Sequence, residues 1–124
     1  MKDKNQKFDL EERTYRFARD VRLFIKSINS IDLIEEDIHQ LLKSSGSVGA
    51  NYREANDALS KKDFIYRIRI SRKEAKESKY WLRLIKSMSS NIDHQGLDML
   101  IIEAEELKRI LSSILQKMET SLNK

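Results

Sequence analysis

Between Ser60 and Met88 the chain reads SKKDFIYRIRISRKEAKESKYWLRLIKSM, and this stretch limits the possible folds more than any other. Phe64, Ile68, Ser71, Ala75, Ser78, Leu82 and Ile85 recur at alternating intervals of four and three, the spacing of one face of an α-helix. A second seam, Ile70, Glu74, Glu77, Trp81, Leu84 and Met88, lies roughly a third of a turn away at about 100° per residue. The remaining arc is basic: Arg69, Arg72, Lys73, Lys76, Lys79, Arg83 and Lys86. A surface helix ordinarily has one apolar stripe and one polar face. Two seams and a basic arc predict a long helix over 61–88 with contacts on two sides.

Helical spacing continues on both sides of this stretch. Asp9 followed by Glu12 has capping-box spacing, and Phe17, Val21, Phe24, Ile25 and Ile28 form a stripe that avoids Arg13, Arg16, Arg19 and Arg22. A first helix is therefore expected over 9–28, ended by Asn29-Ser30. A second is expected over 32–59, opening near Ser30 or Asp32, with Glu35, Glu36 and Asp37 at the positive end of its dipole. Its seam is Ile34, Ile38, Leu41, Ser45, Val48, Tyr52, Ala55 and Leu59, an unbroken heptad pattern. Gly46 and Gly49 lie inside it, each costing about 1 kcal/mol against alanine. They mark either a weak point or a place where a neighbouring backbone comes close, and the surrounding Ser44, Ser45, Ser47 and Ala50 favour the second.

Ser60 and Asp63 have capping-box-like spacing, which places a turn at 57–60. Ser89-Ser90-Asn91 is a second turn, and Asn91 or Asp93 is the expected cap of a fourth helix over 94–121. There Leu97, Leu100, Ala104, Leu107, Leu111, Ile114 and Met118 repeat at threes and fours. The final TSLNK is expected to fray. With no proline and three glycines, the chain lacks the punctuation that a sheet protein's turns need. The expectation is an all-α, antiparallel up-down-up-down four-helix bundle forming a single domain over 1–124.

Charge is distributed by segment. Residues 1–31 carry +3, residues 32–59 carry −4, residues 60–91 carry +7 and residues 92–124 carry −2. In an up-down bundle every adjacent pair then joins a basic helix to an acidic one. Part of the positive charge is expected to neutralise neighbours, and the rest of the arc has the footprint of a phosphate-binding surface. The second seam has two readings: a wide core stripe shared by two neighbours of one bundle, or an interface between chains. Trp81, Leu84 and Met88 among glutamates favour the interface.

Known catalytic patterns are absent. The histidines are His39 and His94; Glu36 and His39 give one Glu-x-x-His, whereas a carboxylate-bridged di-iron bundle needs two, and His94 is expected in a turn. Glu54, Glu74, Glu77 and Glu106 are the remaining candidates for a divalent-metal cluster, without histidine support, and pairing with Arg or Lys is the ordinary fate of such residues. No phosphate-binding or nucleophile-elbow motif occurs. The expectation is a non-enzymatic protein without cofactor or metal. Zero cysteines exclude thiolate chemistry. No apolar run reaches bilayer length, and MKDKNQKFDLEER has no apolar signal core, so a cytoplasmic location without membrane partner is the default.

Ser47-Val48, Asn51, Glu54-Ala55, Ser60, Phe64, Glu74-Ala75, Glu77-Ser78 and Trp81-Leu82 together resemble the central block of a bacterial family. Its members were first noted as products of intervening sequences inserted in 23S rRNA genes, and some carry a ribosomal-protein label. DLEERTYRFARDV at 9–21 and EAEELKRIL at 103–111 are similar to the same family; Ala55 departs from a glycine common in relatives. The resemblance implies a four-helix bundle that assembles into a ring, a homopentamer. It implies little about activity. A similar fold serves as the accessory protein of diversity-generating retroelements, where a basic pentamer binds nucleic acid and a reverse transcriptase. By that analogy RNA or DNA is the expected partner. The alternatives are a protein-interaction scaffold, or a reverse-transcriptase accessory subunit that does not itself bind nucleic acid.

Overall fold

The computed structural model describes residues 2–28, 33–88 and 94–122. They form four helices: α1 (Lys2–Ser27), α2 (Glu35–Asn56), α3 (Lys61–Met88) and α4 (His94–Leu122). α1 begins well before Asp9, so the Asp9/Glu12 spacing lies inside a helix rather than at its start; residues 2–8 contain no glycine, proline or other helix breaker. The expected boundaries at 29–32 and 89–93, with their caps, lie outside the described residues. His94 opens α4 rather than occupying a turn.

α2 ends earlier than its seam suggested. The amides of Asp57 and Ala58 donate to the carbonyls of Glu54 and Ala55, each at 3.1 Å. These i→i−3 bonds tighten the last turn and close the helix at Asn56. Leu59, read as the last seam position, falls in the turn and is 100% exposed. At the start of α3 the Ser60 hydroxyl accepts from the Asp63 amide at 3.1 Å, the predicted cap.

Consecutive helices pack on one another and α1 packs on α4, while the diagonal pairs touch only weakly. The cross-helix contacts run in opposite numerical order, which makes each adjacent pair antiparallel. From α1 to α2, Glu11 meets Asn56 and Arg22 meets Leu42. From α2 to α3, Asn51 meets Arg67, Val48 meets Ser71 and Ser44 meets Ser78. From α3 to α4, Lys79 meets Glu105 and Lys86 meets Asp98. The core between the helices contains Phe17, Val21, Leu41, Ile68, Leu82, Leu97, Leu107 and Leu111, all essentially inaccessible.

Two stripes shift by one residue from their expected course. At the first turn of α3 Ile65 is buried and Phe64 is half-buried. Near the end of α4 Leu115 is buried while Ile114 only flanks the core. A straight helix drifts about 20° per heptad against a strict seven-residue repeat, so the seam in α4 steps forward by one.

The glycines of α2 are explained by α1. A Cβ on Gly49 would lie 2.9 Å from Thr14 Oγ1 and 3.2 Å from Thr14 Cβ, and one on Gly46 would lie 3.2 Å from Arg22 Nη2. The helix runs unbroken through both positions. Close approach is therefore their role, and it is strict at Gly49, where the obstacle is a short side chain on a neighbouring backbone.

Candidate nucleic-acid interface

The α2–α3 seam fixes which way α3 faces. Ser71 Oγ donates to the Val48 carbonyl at 2.7 Å, and Ser78 Oγ lies 2.9 Å from both Ser44 Oγ and the Glu74 carbonyl. Ser44, Ser71, Ala75 and Ser78 are buried. Only side chains this short let hydroxyls reach the opposite helix, and each such bond contributes about 1 kcal/mol net. With this face turned inward, the basic arc turns toward α4 and the outside.

The arc divides into two sets. Arg69 pairs with Glu119. Lys79 pairs with Glu105 at 3.0 Å and Lys86 with Asp98 at 2.6 Å. These three lie along α4 and are its counter-charges. Arg72, Lys73, Lys76 and Arg83 make no ion pair or side-chain hydrogen bond among the described residues; Lys73, Lys76 and Arg83 are exposed and Arg72 is half-buried. Neutralisation by acidic neighbours is thus real but one-sided. Among the described residues the inter-helix ion pairs end on α4, and none of the described acids of α2 takes part. Glu35, Glu36 and Asp37 sit in the first turn of α2, where they complement the helix dipole.

α4 adds cations that its net negative charge concealed. A shallow trough of about 180 Å³ between α3 and α4 is lined by Lys76, Lys79, Tyr80, Arg83, Glu105 and Lys108, among others. Glu105 also pairs with Lys108 at 3.2 Å and Arg109 at 3.0 Å. Hydrogen bonds from Lys79 and then Lys108 hold its carboxyl down at about 2, so it is ionised throughout the physiological range. One fixed negative charge surrounded by this many cations leaves the trough positive. Lys108-Arg109 sits inside EAEELKRIL, and only the α3–α4 register brings it beside the arc.

α1, by contrast, spends its arginines internally. Arg13 grips Glu103 through Nε at 2.7 Å and Nη2 at 2.8 Å and also reaches Glu106 at 2.8 Å. The hydrogen bond it donates to Glu103 is the main cause that raises its pKa further. Arg16 pairs with Glu12, Arg19 with Asp20, and Arg22 donates to the carbonyls of Ala18 and Leu42.

The second seam of α3 is intermediate between its two readings. Ile70, Glu74, Trp81 and Leu84 are half-buried, whereas Glu77 is exposed and Met88 is 60% exposed. Trp81 packs on the core, and its indole N–H is buried without an acceptor among the described residues. The Glu74 carboxyl is pushed up, first by burial and then by Glu77. Of the other carboxylates considered for a metal, Glu54 is exposed on α2 and Glu106 is taken by Arg13, so the four do not converge. Glu36 accepts a hydrogen bond from Gln40, and His39 is exposed.

A further surface carries no clear signal in the sequence. α1 and α4 enclose an open, mainly apolar groove of about 700 Å³, floored by Phe17, Phe24 and Leu100. On it Met99 and Ile102 are 65% and 60% exposed.

The comparisons with known proteins agree with this architecture. The family described as 23S rRNA-intervening sequence protein matches residues 6–113. A solved structure, a protein of unknown function from the S23 ribosomal protein family of Bacteroides thetaiotaomicron, superposes with a TM-score of 0.75 at 33% identity. The match covers 86% of this chain and 97% of that one. No curated protein matches. Of the residues that carried the resemblance, Val48, Ala55, Ala75, Ser78 and Leu82 are buried in the bundle, and Ser60 caps α3. This chain belongs to the 23S rRNA-intervening sequence protein family.

Proposed function

We propose that this protein is a non-enzymatic, self-associating bundle that binds the backbone of RNA or DNA through the basic face of α3. The observation that carries the reading is the set of four cations, Arg72, Lys73, Lys76 and Arg83, which make no close ion pair among the described residues and lie beside a positive trough. A phosphate backbone supplies the missing counter-charges, and such binding is salt-sensitive and only weakly sequence-specific. The test is binding of a labelled structured RNA at low salt. Arg72→Glu/Lys76→Glu is expected to abolish it with the fold intact by circular dichroism; unchanged binding would sink the reading.

The reading includes a homopentamer, as the family resemblance implies. Its support is the half-buried seam around Trp81, with an unsatisfied indole N–H, and the apolar groove carrying Met99 and Ile102. Light scattering tests it, with Trp81→Ala expected to lower the assembled mass. The pairing of Arg69, Lys79 and Lys86 with α4 favours a second reading, a scaffold or reverse-transcriptase accessory subunit in which the basic charge serves packing alone.

A further inference from the structure

α3 has a third stripe that neither seam uses. Tyr66, Arg69, Lys73, Lys76, Tyr80 and Arg83 follow one another at intervals of 3, 4, 3, 4 and 3, so they lie in one line along the outside of the helix. The line contains no acid and no aliphatic residue. Tyr66 is 57% exposed and Tyr80 is 55% exposed. Neither hydroxyl makes a hydrogen bond among the described residues, so these rings are not held outward by a polar anchor. The Arg67 guanidinium lies 5.8 Å from the Tyr66 ring centroid, and Tyr80 meets Trp81 edge-on with centroids 5.1 Å apart. Both rings are braced and both remain open to solvent. They are fourteen positions apart, about 21 Å along the axis, with the unpaired Lys73 and Lys76 between them and Arg69 turned to Glu119.

We infer that Tyr66 and Tyr80 are stacking platforms for unpaired bases, so that the ligand of this face is single-stranded nucleic acid rather than a continuous duplex. This rests on the nucleic-acid reading above and deepens it. Aromatic rings interleaved with cations are how sequence-tolerant single-strand sites are built: the cations follow the backbone and each ring takes a base face. A duplex offers phosphates to the cations but keeps its base faces inside its own stack. At about 3.4 Å per stacked nucleotide, the distance between the rings corresponds to about six nucleotides. A helical protein partner is the competing occupant, but it would need aliphatic positions on the line, and four of the six positions are cationic.

The test compares a labelled RNA strand of about 12 nucleotides without self-complementarity, within the usual site size, with the same strand annealed to its complement. Tyr66→Ala/Tyr80→Ala is expected to weaken single-strand binding about 30-fold or more, since two stacking rings are lost, and to leave duplex binding unchanged. Tyr66→Phe/Tyr80→Phe is expected to retain both. The rings are more than half exposed, so melting should not move. If the alanine variant loses neither strand, the tyrosines serve a protein partner and the inference is overturned. Equal loss of both strands, or a phenylalanine variant as weak as the alanine one, also overturns it. Arg72→Glu/Lys76→Glu separates the two claims: if it abolishes binding while the tyrosine variants do nothing, the nucleic-acid reading stands and the stacking inference falls. If the wild-type chain binds neither strand at low salt, both fall.

Discussion

Where α2 meets α3, the facing residues are short, Ser44, Val48, Ser71, Ala75 and Ser78, and hydroxyls on α3 reach acceptors on α2. Where α1 meets α4, the residues are long, Phe17, Phe24, Leu100, Met99 and Ile102, and the contact is an open groove crossed by the Arg13 fork to Glu103 and Glu106. The first contact is closed, its hydroxyls satisfied within the bundle. The second is half a contact, with apolar surface still in water. α3 therefore has one face fixed by the tight seam and its opposite side free, while α1 and α4 form an edge on which something can still pack. A bundle packed evenly at all four contacts would present only charge to its surroundings.

The largest effect expected on this contrast comes from truncation. Leu82→Ala, at a fully buried position of α3, is expected to cost about 2–5 kcal/mol. Ile102→Ala on the open edge is expected to stay within about 0.5 kcal/mol. Denaturant titration of the dilute, dissociated chain checks both at once, and a comparable loss there for Ile102→Ala would mean that the bundle itself closes over the groove. Next is Gly49→Val, whose Cβ would lie within 3.2 Å of Thr14 Cβ. It is expected to cost about 1–3 kcal/mol by overpacking, although the substitution favours helix, so a higher melting temperature would contradict the close approach of α1.

The smallest effect is electrostatic. The folded Glu105 carboxyl titrates at about 2, below its ordinary 4.5. Its contribution is fully present above about 4.5 and is lost as pH falls toward 2. Glu105→Gln should thus melt slightly below wild type at pH 6, by less than about 1 kcal/mol for pairs at the surface. The two melting curves should converge near pH 2. A difference that persists at that pH would show that the substitution acts through packing rather than charge.

Much of this contrast was legible in the sequence. The heptad seams located the four helices, the Ser60 cap set the start of α3, and Gly49 among serines announced a close neighbour. These signals are local or periodic, so a chain read alone carries them. Leu59 kept the seam spacing but lay past the last helical hydrogen bond, and spacing says nothing of where a helix stops. The division of the basic arc was not legible, because Glu119, Glu105 and Asp98 lie far along the chain and only the α3–α4 register decides which cations they take. Lys108 was hidden by the net negative charge of its segment. The groove was hidden because Phe24 and Leu100 follow the same stripe pattern whether or not two helices close over them.

The central claim is that the unpaired half of the arc, and not the half taken by α4, meets a phosphate backbone. Its most direct test is the salt dependence of RNA affinity for wild type, for Arg72→Ala/Lys76→Ala and for Arg69→Ala/Lys86→Ala. The slope of log affinity against log salt falls by about one for each lost phosphate contact. The account predicts a drop of about two for Arg72→Ala/Lys76→Ala and a clearly smaller one for Arg69→Ala/Lys86→Ala. Equal slopes in all three proteins, or no binding by wild type at low salt, would contradict it.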